Sequence, residues 1–114
     1  MNNEVQSQKK QVLDQWKDSI ISAINSCLDD VKAQIEIENG FDTPNKDTLK
    51  NLELSLDRYN NLKAKIIFEE ELNNADYSLI AIICATAAHK AASSVKKILD
   101  GIEQLKNLSK IFIV

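Results

Sequence analysis

The sequence predicts an all-α protein: an antiparallel three-helix bundle with long helices over about 5–38, 44–73 and 77–108, open to completion by oligomerisation. Three observations predict it. Apolar residues recur at steps of three and four along most of the 114 residues. Two glycines and one proline leave few places for turns. Where those residues and the Asn-Asp clusters fall, they cut the chain into three. A chain of this length supports one hydrophobic core, and 44% hydrophobic with 27% charged residues is the composition of a globular domain. Residues 1–114 therefore read as a single helical domain, with 1–8 frayed and 109–114 an apolar C-terminal tail.

In the first helix Leu13, Trp16, Ile20, Ile24, Cys27, Val31 and Ile35 form the dry face, and Asp14, Asp18, Asn25, Asp29, Lys32 and Glu36 the wet one. Unbroken, it would be about 50 Å long. The stretch ENGFDTPNKD ends it, since Gly40 suits a helix C-terminus and Thr43-Pro44 suits an N-cap followed by a first-turn proline. The second helix carries Leu49, Leu52, Leu56, Tyr59, Leu62 and Ile66, then Phe68 and Leu72. NNAD at 73–76 is the next turn signal, with Asp76 as the cap of the third helix. That helix begins at Tyr77 and runs through Ala87, Ala91, Val95, Ile98, Ile102 and Leu105 to Leu108. Gly101 lies inside it at about 1 kcal/mol relative to alanine, but Ile98, Ile102 and Leu105 keep one face across the glycine, which predicts a continuous helix.

The segment from Tyr77 to His89 carries no formal charge in a chain otherwise rich in Lys, Asp and Glu. The polar stripe Asn107, Gln104, Asp100, Lys97, Ser93 and Lys90, traced backward, meets Thr86, Ile83 and Leu79. That side calls for a cover, because leaving a large aliphatic side chain in water forgoes about 1.5 to 3 kcal/mol. A bilayer is disfavoured: thirteen helical residues rise about 20 Å, against about 30 Å of hydrocarbon. The remaining covers are an overhang of the first helix, the tail KIFIV, or a second molecule. Small residues from Ala85 to Ser94 permit close approach of another chain, so the predicted protein interface is Leu79, Ile80, Ile83, Ala87, Phe112 and Val114. The tail packs on the bundle or, with its carboxylate, serves as an extended ligand for a sheet-edge groove.

Catalytic motifs are missing from the sequence. It has no Gly-rich phosphate loop and no metal-ligand pair at two- or four-residue spacing. His89 is the one histidine, and Cys84, five residues away, lies about 140° around the helix from it. Glu69-Glu70-Glu71 reads as the solvated end of the second helix. Cys27 and Cys84 read as small buried thiols rather than a disulfide, and the opening MNNEVQSQKK lacks the apolar core of a secretory signal, which predicts a cytoplasmic protein. Net charge is −3 and Arg58 is the single arginine, a poor endowment for phosphate contacts, so no nucleic acid is expected. The lysine bias with abundant Ile and Asn suits an AT-rich coding sequence, such as that of a low-GC bacterium or its phage.

The expected function is that of a non-enzymatic protein–protein interaction module without cofactor or metal. Its partner would be itself, as a homo-oligomer, or another protein, in the manner of an adaptor, chaperone or immunity protein. A membrane-active or membrane-peripheral helical protein is the alternative. A small enzyme working at an oligomer interface, with His89 or Tyr59 as acid or base, ranks below both.

Overall fold

The structure, a computed structural model, describes residues 2–92 and 99–113, with side-chain environments for 7–90 and 103–113. Its helices are α1 (Asn2–Gln15), α2 (Lys17–Asn39), α3 (Lys46–Ile67), α4 (Asn74–Ala92) and α5 (Leu99–Ile111), and the described residues include no strand. The all-α class stands. Three long helices become five, because the first and third predicted helices are each divided.

The first division is at Trp16, whose backbone (φ −112°, ψ 22°) leaves the helical range. Bonds of 3.0 Å from Trp16 N–H to Val12 O and from Ile20 N–H to Trp16 O carry the chain across. The bend brings α1 to the start of α4, where Leu13 joins the core and Lys9, itself buried, sets its ammonium 5.3 Å from the centre of the Tyr77 ring. Neither glycine nor proline marks this break, and the apolar steps continue through it.

The second division is larger. α5 lies alongside α4 instead of extending it, and the two run antiparallel: Tyr77 at the start of α4 stacks on Phe112 just past α5, with ring centroids 5.9 Å apart and planes 4° apart. Burial decides this packing. A continuous helix would leave Ile80, Ile83 and Cys84 without the partners that now bring each of them to 0% exposure. Gly101 falls within α5, so the glycine does not end a helix; residues 93–98, between α4 and α5, lie outside those described.

Helix ends moved in three further places. α3 is capped by Asn45, not Thr43: the Asn45 side chain accepts from Thr48 N–H at 3.0 Å, while Glu38 accepts from Asn45 N–H at 2.7 Å and ties the turn to α2. The same helix stops at Ile67 rather than 73. There Glu70 N–H donates to Lys65 O at 2.8 Å and Glu69 N–H to Ile66 O at 3.3 Å, the paired bonds of a Schellman turn, with Glu69 at φ 55° where glycine is usual. The N-cap of α4 is Asn73, three residues before its expected place: Asn73 accepts from Asp76 N–H at 2.9 Å and Asp76 accepts from Asn73 N–H at 3.0 Å, a reciprocal capping box.

α2 lies at the centre, packed against α3 on one side and α4 on another. Ile20, Ile24, Cys27 and Leu28 from α2 meet Leu62 and Ile66 from α3, Ile80, Ile83 and Cys84 from α4, and Leu108 and Phe112 from the last element. Gln104 donates to Ser19 Oγ at 3.2 Å and fixes α5 against the first turn of α2. Near the other end of α4, Lys90 pairs with Asp30 at 2.8 Å. Beyond that pair α2 continues to Asn39 and returns as the first turns of α3, a two-helix tip on which Ile35, Leu49 and Leu52 are half-buried and Ile37 and Phe41 are 62% and 56% exposed.

Candidate interaction surface

α4 has apolar residues on all sides between Tyr77 and Ala88, and its two faces differ in their surroundings. The inner face is covered by this chain itself. Of the six residues predicted to form an interface, Ile80, Ile83 and Phe112 are fully buried and Ala87 nearly so, all in contact with the chain's own core. Those four are unavailable to a partner in this fold. Val114 lies outside the described residues. The cover of that face comes from α2 on one side and, on another, from α5 with Phe112 of the predicted tail.

Leu79 remains, half-buried, and beside it Ile82 is 58% exposed. Sequence reasoning missed Ile82 by one residue. From Lys90 the solvent line runs back through Thr86 to Ile82, two steps of four, whereas a step of three placed Ile83 on it; one residue is 100° of helix. Ala85 and Thr86 are exposed on the same side, and the Thr86 hydroxyl donates to Ile82 O at 2.8 Å, which ties that side chain to its own helix.

Leu79 and Ile82 line a groove of about 700 Å³ between α3 and α4, with Leu62 also contributing and Arg58 and Lys65 on the α3 side. Lys65 is held by the Asp76 carboxylate at 3.1 Å, so its charge is answered within the chain. Arg58 is exposed and makes no hydrogen bond or ion pair among the described residues. Exposed Glu70 lines the same groove, so its charged groups are two cations and two carboxylates.

The other candidate groups are scattered. His89 is exposed on the last turn of α4, and Tyr59 is half-buried, its hydroxyl pushed up by burial and then by Cys27. Cys27 and Cys84 are buried free thiols. Burial pushes Cys84 up to about 12, with Cys27 adding to it, and raises Cys27, with Asp30 adding to that. These are resting thiols rather than nucleophiles. Glu69, Glu70 and Glu71 are all exposed beyond the end of α3, and among the described residues no three His, Cys, Asp or Glu side chains stand together as a metal site. No described helix is long and apolar enough to cross a membrane. Compared with protein-family models, curated proteins and solved structures, the chain matches none.

Proposed function

We propose that the protein is a non-enzymatic helical interaction module that binds protein, another copy of itself or a different chain, through the outer face of α4 and the groove that face makes with α3. The observation that carries the reading is Ile82, 58% exposed in mid-helix, next to the half-buried Leu79 and to Arg58, which has no partner among the described residues. Scattered exposed aliphatic residues need no explanation, but an exposed one bordering a groove that also holds an arginine without a partner among the described residues supports an interface there. A cytoplasmic setting goes with this reading, since two buried reduced thiols suit a reducing compartment.

The test is Ile82→Lys, read by light scattering on a size-exclusion column over a hundredfold range of concentration and by liposome flotation. Loss of self-association, or of a partner's binding, with unchanged helicity supports the reading. Unchanged association and an unchanged partner set sink it, and liposome binding by the native chain that Ile82→Lys abolishes replaces it with a membrane-peripheral function.

A further inference from the structure

We infer that two copies of the chain exchange their last helix, the α5 of each docking on the α4 of the other, in a dimer that coexists with the closed monomer. The contact is on the inner face of α4 and does not depend on the interaction surface proposed above. What fills that seat is on view, because α5 fills it within one chain. Tyr77 stacks on Phe112, Leu108 joins the core that holds Ile80 and Ile83, and Gln104 donates to Ser19 in the first turn of α2. Each of these contacts is satisfied equally by the α5 of a second copy.

The sequence between the two helices favours the exchange. α4 and α5 run antiparallel, so the closed chain reverses direction between Ala92 and Leu99. The reversal from α2 to α3 passes Gly40, Asp42, Pro44 and Asn45, and that from α3 to α4 passes Asn73. From Tyr77 to Leu99, by contrast, the chain holds no glycine, proline, asparagine or aspartate. Its connection, Ser93-Ser94-Val95-Lys96-Lys97-Ile98, offers only two serines as turn residues. Ala87, Ala91, Val95, Ile98, Ile102 and Leu105 meanwhile keep helical spacing straight through it. Local preference favours one helix where the packing of a single copy requires two, a conflict between levels of structure. Exchange removes the conflict: the connection becomes helix, and every core contact of α5 is kept.

The register suits a two-fold pair. Opened, residues 74–111 form one helix about 57 Å long. Two such helices laid antiparallel, with Tyr77 of each level with Phe112 of the other, set Cys84 level with Leu105 and put the two-fold axis between Ser94 and Val95. Small residues, Ala91, Ala92, Ser93 and Ser94, fall at that axis, where the two backbones must approach. The exchanged surface is the domain's own core. Passage between the two forms therefore requires α5 to leave that core, which makes it slow enough for the forms to be separated.

The experiment refolds the full chain from urea at low and at high concentration and separates the products by size-exclusion chromatography with light scattering. Two forms are expected, at the monomer mass of 12.8 kDa and at twice that mass, with the dimer share rising with the concentration during refolding. Ser19→Cys combined with Gln104→Cys places thiols where the native side chains stand 3.2 Å apart, and the native Cys27 and Cys84 are buried. A short bifunctional thiol reagent is expected to join two chains in the dimer fraction and to close one chain on itself in the monomer fraction. Val95→Pro, which a helix interior does not admit, is expected to abolish the dimer while circular dichroism shows a folded monomer. Lys96→Gly, present twice in each dimer, is expected to weaken it about tenfold. Ile82→Lys, on the outer face of α4, is expected to leave the dimer share unchanged.

A chain that stays monomeric at every refolding concentration overturns the exchange and leaves the outer-face reading standing. A dimer fraction whose thiol links all lie within single chains overturns it as well, and if Ile82→Lys disperses that dimer, the contact belongs to the outer face. A dimer that Lys96→Gly and Val95→Pro both leave undiminished overturns the continuous helix on which the exchange depends.

Discussion

Tyr77 and Phe112 stack with ring centroids 5.9 Å apart, although thirty-five residues separate them in sequence. In one straight helix they would lie about 50 Å apart. The stack joins the first turn of α4 to the chain just after α5, and Lys9 of α1 covers the Tyr77 ring from another side. Three elements meet at one aromatic pair, and Phe112 is fully buried there.

Phe112→Ala is therefore expected to lower stability by about 3 to 5 kcal/mol, the range for removing a buried aromatic ring from a core. For a chain of this size that shifts the melting temperature by well over 10 °C. Urea denaturation of native and variant chains measures it. A loss below about 1 kcal/mol would mean that α5 does not dock on α4 in solution.

Glu69 adopts φ 55° at the left-handed position of the Schellman turn that ends α3. An L-residue with a side chain is strained there by about 1 to 2 kcal/mol, and glycine is not. Lys17 approaches the Glu69 carboxylate at 4.0 Å, but at that separation and with the Glu69 side chain 75% exposed the pair contributes little. Glu69→Gly is expected to raise stability by up to about 1 kcal/mol, against the usual direction of glycine substitution. Thermal denaturation of the two chains decides it; a destabilised variant would show that the turn is not left-handed at this residue.

These two places also mark what the sequence made legible. Periodicity identified the helical class, the central role of Ile20, Ile24, Cys27, Leu62 and Ile66, and the turn between α2 and α3, because each reports a local spacing or a local turn residue. The end of α3 was hidden because a glutamate occupies the position that glycine normally announces. The fold-back of α5 was hidden for a different reason: the apolar stripe through Ala87, Ala91, Val95, Ile98 and Ile102 is equally good for one long helix and for two that pack on each other. Only the total burial available to Ile80, Ile83 and Cys84 separates those outcomes, and that is a tertiary quantity. The candidate surface was half legible. Leu79 was named, whereas Ile82 was exchanged for its buried neighbour by one helical step.

Cys84 gives a prediction in pH. Its thiol is pushed up to about 12 in the folded chain against an ordinary 9.0, chiefly by burial. Below pH 9 both folded and unfolded thiols hold their protons and the group adds no pH dependence. Above it the unfolded chain binds fewer protons than the folded one, so stability falls as pH rises through 9 toward 12, at up to about 1.4 kcal/mol per pH unit for this one group. The stability of the native chain relative to Cys84→Ala should accordingly decrease by about 2 kcal/mol between pH 8 and pH 10.5, measured by urea denaturation at each pH. In the native chain at pH 8 the thiol should react with an alkylating reagent only as fast as the chain opens. A parallel pH dependence in both chains, with rapid alkylation, would mean that Cys84 is open to water.

Ile82 and Ile83 are adjacent in sequence and opposite in environment, 58% and 0% exposed. A lysine at 83 would place an unpaired ammonium among Ile80, Cys84 and the rest of the core, a penalty of several kcal/mol against the 5 to 15 kcal/mol that typically holds a domain together. A lysine at 82 would keep its ammonium in water and change stability by about 0.5 kcal/mol or less. Ile83→Lys should consequently lose helical circular dichroism or precipitate on expression, while Ile82→Lys should melt within a few degrees of the native chain and differ from it only in association. The pair separates folding from binding at one turn of α4. Equal damage from both substitutions would show that Ile82 is covered within the chain, and the interaction surface would then have to be sought away from this helix.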